Sequence, residues 1–387
     1  MSLGFVPPAY PYDRLDAARE KASQHPGGVV DLSVGTPTDP PPELAMAELA
    51  RLHGPGAAGG VTDQNGAARG YPPSIGSSEL RGAIQRWTKD RLGAAVPLDA
   101  IAACVGTKEF VATLPQWLKL RDPARDTVLY PEVSYPTYEM GATLAGLRAV
   151  KVPMDRAWRL DLGAVAAEDI SRALMLWVNS PGNPAGALDD LARTAAWGLD
   201  AGVPVFSDEC YAEFTWAGPP RTVLGHGGGP DGIDGVVAVH SLSKRSNMAG
   251  MRVGWYAGDP ELVGYLREVR KHAGFMVSGP VQAAAAAALA DQEHVQVQRD
   301  RYWSRLTRAQ EILAGIDVAA ELPEGGFYLW APAPEGDDWA WTDWLASKGG
   351  LLVSPGSFYG SGGAGYVRLA MVAPVDRLDQ VASRLGL

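Results

Sequence analysis

The chain has 387 residues, 46% of them hydrophobic and 20% charged, with a formal net charge of −10. This is the composition of a globular protein long enough for a substantial core, and the acidic balance argues against a nucleic-acid partner, which would need a basic face. Its two cysteines, Cys104 and Cys210, belong to no Cys-x-x-Cys pair, so neither a disulfide framework nor a zinc site is expected, and a reducing cytoplasm is the simplest setting.

The first residues lack the basic and apolar segments of a secretion signal. Residues 1–40 are rich in proline and turn formers and predict an extended arm with one short strand at 29–34. Further on, Ser77 can cap a helix carrying Leu80, Ile84 and Trp87 on one face. Apolar strand candidates then recur at 101–105, 127–130, 173–178, 203–207 and 236–240, separated by helical segments. Continuous apolar strands alternating with helices predict a mostly parallel sheet covered by helices on both faces. After residue 275 a helical region, 281–313, precedes strand candidates near 325–330, 351–353 and 366–372. The longest apolar run, 281–290, is interrupted by Gln282 and too short to cross a bilayer. The expected division is therefore an arm at 1–40 that is also part of a small domain, a large domain at 41–274 and a small α+β domain at 275–387. The Gly- and Pro-rich stretches at 54–60 and 225–235 read as surface loops, and there is no internal repeat.

The chemistry concentrates around Lys244. It follows an apolar strand candidate, with Ser241 and Ser243 just before it and Arg252 eight positions on. A Schiff-base lysine needs a fixed, partly desolvated position, and a phosphorylated cofactor needs hydroxyls and a guanidinium, so this stretch points to pyridoxal phosphate. Gly106, Thr107 and Lys108 open a helix after a strand, where unpaired amides and the helix dipole can cradle a phosphate, although a Gly-Thr start is by itself most often a plain turn. Asn183 lies in a dense turn cluster, Asn-Ser-Pro-Gly-Asn-Pro, after another strand. Asp208 stands at the carboxyl end of a strand, where ligands of open α/β sheets bind, and Tyr211 follows within a turn. A carboxylate there is a helix cap, a structural ion pair or the partner of a pyridinium nitrogen. Arg368, flanked by apolar residues, must find an anion: either a structural carboxylate or a substrate α-carboxylate.

Taken in order, these residues resemble the fold-type I, pyridoxal-phosphate-dependent aminotransferases of class I/II, the aspartate aminotransferase-like group. The resemblance implies an α/β fold with a large domain, whose mostly parallel sheet is covered by helices, and a smaller α+β domain. It implies that Lys244 carries the cofactor, that Asp208 pairs with its ring nitrogen, and that Asn183 and Tyr211 contact its phenolic oxygen. The amides of Gly106, Thr107 and Lys108, with Ser241, Ser243 and Arg252, would hold the phosphate. Tyr135 would stack on the ring, and Tyr71 would reach the phosphate of a neighbouring subunit, making the enzyme a homodimer with shared sites. Gly35 and Arg368 would meet the substrate, Arg368 at its α-carboxylate, with Asn183 also at the substrate.

Segments 31–39, 105–109, 131–138, 270–277 and 355–360 look more closely like the actinobacterial type of N-succinyldiaminopimelate aminotransferase, an enzyme of lysine biosynthesis. Where that type would carry proline, this chain has Arg69, which joins Lys271 and His272 as candidate cations for the distal carboxylates. Rival readings keep the same lysine: an LL-diaminopimelate, aspartate or alanine type aminotransferase, or a β-lyase or cyclopropane-carboxylate synthase. A non-enzymatic regulatory domain would carry an appended helix-turn-helix, for which the short arm leaves no room.

Overall fold

The computed structural model describes residues 4–53 and 70–387. In chain order its helices are α1 (Asp16–Ser23), α2 (Glu43–His53), α3 (Ser78–Leu92), α4 (Thr107–Arg121), α5 (Thr137–Leu144), α6 (Ala167–Arg172), α7 (Leu191–Ala201), α8 (Leu242–Arg245), α9 (Pro260–His272), α10 (Gly279–Ala290), α11 (Glu293–Gly315), α12 (Asp338–Gly349) and α13 (Val375–Leu385). The strands are β1 (Val30–Asp31), β2 (Ile101–Cys104), β3 (Thr127–Pro131), β4 (Arg148–Val152), β5 (Ala173–Asn179), β6 (Val205–Asp208), β7 (Val236–Ser241), β8 (Gly254–Gly258), β9 (Tyr328–Pro332), β10 (Leu351–Leu352), β11 (Ser354–Pro355) and β12 (Tyr366–Ala370).

The larger compact unit comprises residues 36–300 and 324–326. Its seven-stranded sheet has the order β2-β8-β7-β6-β5-β3-β4. Strands β7, β6, β5, β3 and β4 are mutually parallel, and β8 runs antiparallel to both β7 and β2. Every residue of β2, β3, β5, β6, β7 and β8 is buried, as expected of strands covered on both faces, whereas edge strand β4 exposes Arg148 and Lys151. Helix α3 starts where the sequence places its cap: the Ser77 side chain accepts from Leu80 N at 3.1 Å, and Leu80, Ile84 and Trp87 are buried.

The smaller unit comprises residues 1–35, 301–323 and 327–387. Its three-stranded sheet, β11-β12-β9, is antiparallel, and β1 pairs in parallel with β10. The units part at 35/36 and 300/301 where 40/41 and 274/275 are expected; the second lies later because α10, packed on α2 and α3, belongs to the larger unit.

Two other expectations change. The arm is not wholly extended: a 3-10 turn, Pro11–Leu15, leads into α1, whose Ala18 and Ala22 are buried with Leu15. The helical region 281–313 is two helices, broken at Asp291, whose carboxylate accepts from Glu293 N at 2.8 Å and so starts α11. No helix among the described residues is long and apolar enough to cross a membrane.

One buried carboxylate of the larger unit carries a stability prediction. Asp189 is 6% exposed, accepts from Leu160 N at 3.2 Å, and is pushed up to about 6 by burial. Native protein therefore holds this proton more tightly than unfolded chain does, so the stability it confers is complete below pH 4 and is lost as pH rises through about 6. Asp189→Asn should raise stability at pH 7 by up to about 3 kcal/mol and leave it unchanged at pH 4, as read by urea unfolding at both pH values.

Candidate active site

Strands β5, β6 and β7 end side by side at Asn179, Asp208 and Ser241. Strand β2, two antiparallel steps from β7, points the same way and delivers Gly106 and α4 to the same sheet edge. Carboxyl ends of parallel strands are where open α/β sheets bind ligands. The topology thus brings Gly106, Thr107, Lys108, Asn183, Asp208, Tyr211, Ser241, Ser243 and Lys244 to one edge of the larger unit.

Asp208 is 7% exposed. The Tyr138 hydroxyl donates to its Oδ2 at 2.8 Å and the Cys210 amide to its Oδ1 at 3.2 Å. Burial pushes its carboxyl above the ordinary range, and the donations from Cys210 and Tyr138 pull it back only in part. Such a carboxylate gains from a cation more than an exposed one would. Its neighbours are tied to it: Asn179 Nδ2 donates to Asp208 O at 2.8 Å, and Asn179 Oδ1 accepts the amide of Asn183 at 2.8 Å. Asn183 is thereby held beside Asp208 at a buried position, between cis Ser180–Pro181 and Asn183–Pro184 peptides. Tyr211 is buried at the start of a 3-10 turn, Ala212–Phe214, and the Tyr135 and Tyr138 rings meet edge to face at 6.0 Å.

The phosphate candidates divide into two groups. Gly106 has φ +77°, and a Cβ there would collide with the Arg252 guanidinium, so glycine lets this arginine lie against the amino end of α4. First-turn amides of a helix have no intrahelical carbonyl to bond, and the dipole adds positive potential; with a guanidinium alongside, the place suits a phosphate dianion. Arg252, itself left-handed at φ 54°, is oriented by donating from Nη1 to Ala249 O at 2.8 Å. Ser241 and Ser243 are bonded to each other, Oγ to Oγ at 2.9 Å, and Ser241 also caps α8 by accepting from Ser243 N. Lys244 sits half-buried on this four-residue helix.

In the smaller unit, Arg368 is 2% exposed on β12. Its guanidinium lies between the rings of Tyr328 and Tyr359, at 4.3 and 4.8 Å, and its Nη2 donates to Ser33 O at 2.6 Å and to the Tyr12 hydroxyl at 3.4 Å. Gly35 packs so closely on the Tyr328 hydroxyl that any Cβ would overlap it. Two tyrosine rings, a hydroxyl and a carbonyl thus orient this guanidinium.

A family model described as "Aminotransferase class I and II" matches residues 27–385. The chain belongs to that aminotransferase family. The 4-dedimethylamino-4-oxo-anhydrotetracycline transaminase OxyQ of Streptomyces rimosus is 41% identical over 381 residues, covering 98% of this chain and 99% of that protein. An LL-diaminopimelate aminotransferase of Aquifex aeolicus is 31% identical, covering 98% and 96%. Among solved structures, a probable N-succinyldiaminopimelate aminotransferase of Thermus thermophilus is 30% identical with a TM-score of 0.83, covering 97% of this chain and 99% of that one.

The aminotransferase is therefore a fold-type I, pyridoxal-phosphate-dependent transaminase acting on small amino and keto acids. Its residues fit the cofactor: a glycine-lined helix start with a guanidinium for the phosphate, and a buried carboxylate that gains from a ring cation.

Several contributors escaped the sequence reading. Tyr138 and Asn179 hold Asp208 and Asn183, and only their neighbourhood, not their type, signalled it. Glu109, in the first turn of α4, receives both Nη groups of buried Arg270 at 2.9 and 2.6 Å, which ties the amino end of α4 to α9. Tyr71 is 94% exposed. Lys271 and His272 are exposed in the last turn of α9, where they complement the helix dipole, and Arg69 lies outside the described residues.

Proposed function

We propose that this aminotransferase moves the amino group of glutamate to N-succinyl-2-amino-6-oxopimelate, giving 2-oxoglutarate and N-succinyl-LL-2,6-diaminopimelate for lysine biosynthesis in the cytoplasm. Arg368, buried and presented between two tyrosines, carries the reading that donor and acceptor each bring a carboxylate beside the reacting carbon, which this guanidinium anchors. The likeness to the Thermus enzyme supports the acceptor. The 41% identity to OxyQ favours a second reading, a ring-ketone acceptor of the anhydrotetracycline kind.

Pyridoxal phosphate, when bound, supplies an electron sink for the pair left when the substrate Cα loses its proton. Lys244 would be the residue that holds the cofactor covalently, and its amine would take that proton from the substrate. Asp208 would keep the ring nitrogen protonated, with Tyr138 and the Cys210 amide fixing the carboxylate. Asn183 and Tyr211 would bond the phenolic oxygen, and Tyr135 would cover the ring. The α4 amides, Ser241, Ser243 and Arg252 would hold the phosphate. Tyr71, which is exposed, would reach the phosphate of a second copy in a homodimer.

A panel of acceptors assayed with glutamate tests the substrate. Amination of N-succinyl-2-amino-6-oxopimelate well above 4-oxo-anhydrotetracycline and oxaloacetate is the expected result, and the reverse order supports the OxyQ-like reading. Arg368→Ala should raise KM about 10- to 100-fold for glutamate and acceptor alike, the loss of one charged hydrogen-bonded contact. A rise for one substrate only would remove Arg368 from the α-carboxylate.

A further inference from the structure

The residue after Lys244 is a fully buried arginine that amino transfer does not itself require. A four-residue helix closes too few hydrogen bonds to fix its own geometry, so α8 depends on what its side chains grip. Leu242 is buried, and Ser241 caps the turn. A further grip is Arg245, whose side chain is 3% exposed and leaves the helix about 100° around from Lys244.

The Arg245 fork is bonded in four directions. Nε donates to Glu213 Oε1 at 3.3 Å, Nη1 to Ser246 Oγ at 3.1 Å and Ala288 O at 2.9 Å, and Nη2 to Asp291 O at 3.3 Å. Glu213 lies two residues after Tyr211, in the turn that Tyr211 starts. Its carboxylate also receives Trp87 Nε1 at 2.7 Å and Arg91 Nη2 at 2.9 Å, and Arg299 donates to its backbone carbonyl. Beyond Arg245, the Ser246 hydroxyl is 2.9 Å from His294 Nε2, and His294 Nδ1 is 2.8 Å from Asp291 Oδ2. Burial pushes the Glu213 carboxyl up, yet Arg245, Arg91 and Trp87 outweigh it and hold the group below its ordinary range, so it is anionic at neutral pH.

A buried ion pair is a poor source of net stability, because desolvation cancels most of the attraction. Its directional worth is larger: a planar guanidinium with every nitrogen engaged admits one placement of its backbone. Here that backbone is the turn bearing Lys244, and the gripping carboxylate belongs to the turn that begins at Tyr211.

We propose that Arg245 is a positioning residue for Lys244, locking α8 through Glu213 to the segment that carries Tyr211. This rests on the reading of Lys244 as the cofactor-bearing amine. The conservative pair Arg245→Lys and Glu213→Gln tests it alongside Arg245→Met. In cofactor-free protein, reductive methylation of Lys244 by formaldehyde and cyanoborohydride, followed by peptide mapping, should quicken at least threefold in Arg245→Met and Glu213→Gln as the turn loosens. In reconstituted enzyme kcat should fall tenfold or more while KM for glutamate stays within twofold, and Arg245→Lys should recover part of both. Glu213→Gln, isosteric and still bonded to Trp87, decides the question if Arg245→Met does not fold. Folded variants with parental methylation and kcat overturn the proposal. So does a loss that appears only as lower thermal stability. Failure of the parent protein to form a borohydride-trapped adduct at Lys244 would instead sink the assignment of the lysine.

Discussion

Lys244→Ala should lose amino transfer on the order of 10⁴-fold, the upper range for removing a positioned acid–base group, while the protein stays folded. The reasoning is local. Lys244 is half-buried on α8, a turn held by the Ser241 cap, by buried Leu242 and by the Arg245 fork. Alanine is the best helix former, so the turn survives the change. The groups proposed to hold the phosphate, on α4 and at Arg252, lie elsewhere on the sheet edge, so cofactor affinity should be reduced and not abolished. Two measurements check this. Borohydride followed by peptide mapping should place a pyridoxyl group at Lys244 in the parent and nowhere in the variant. Added methylamine should restore part of the lost rate, because a free amine can take the Cα proton that Lys244 no longer takes. Parental turnover in the variant would refute the role of the lysine.

Why Lys244 was legible and its supports were not has a physical explanation. Strands β2, β3, β5, β6 and β7 are buried on both faces, and that burial imprints itself as unbroken apolar runs. Residues at the ends of such runs, Asp208 and Lys244 among them, stand out as charges where charges are costly. Strand β4, Arg-Ala-Val-Lys-Val, is an edge with exposed Arg148 and Lys151, and so lacks that imprint. Strand β8 is bounded by glycines at 254 and 258, which interrupt its apolar run, and its antiparallel pairing to β7 and β2 is a tertiary fact. Prolines in the arm hid α1, although Leu15, Ala18 and Ala22 follow helical spacing. Residues that hold the site from a distance, Tyr138, Glu109, Arg270 and Glu213, lie 70 to 161 positions from a bonded partner, or 32 in the case of Arg245 with Glu213. No local pattern encodes contacts of that range.

Asp208→Asn should slow amino transfer about 10²- to 10⁴-fold, the kinetic equivalent of the 3–5 kcal/mol lost when one partner of a buried ion pair is removed. The substitution is nearly isosteric. The introduced amide can set its carbonyl oxygen toward the Cys210 amide, which lies 3.2 Å from Asp208 Oδ1 in the parent, and the Tyr138 hydroxyl can turn to accept from its NH₂ group. What is lost is the charge that would balance a protonated ring nitrogen. Stability should move the other way. Burial raises the Asp208 carboxyl in the native protein, so the stability it confers is complete below the unfolded value and lost as pH rises through the native one. At pH 7 the cofactor-free parent carries that cost and Asp208→Asn does not. Cofactor-free variant should therefore unfold at the same temperature as the parent or higher, even as the reconstituted variant turns over slowly. Opposite signs for rate and stability separate a group kept for its charge toward a ligand from one kept for the fold. Equal losses in both would make Asp208 a structural residue, and turnover within tenfold of the parent would remove it from the ring nitrogen.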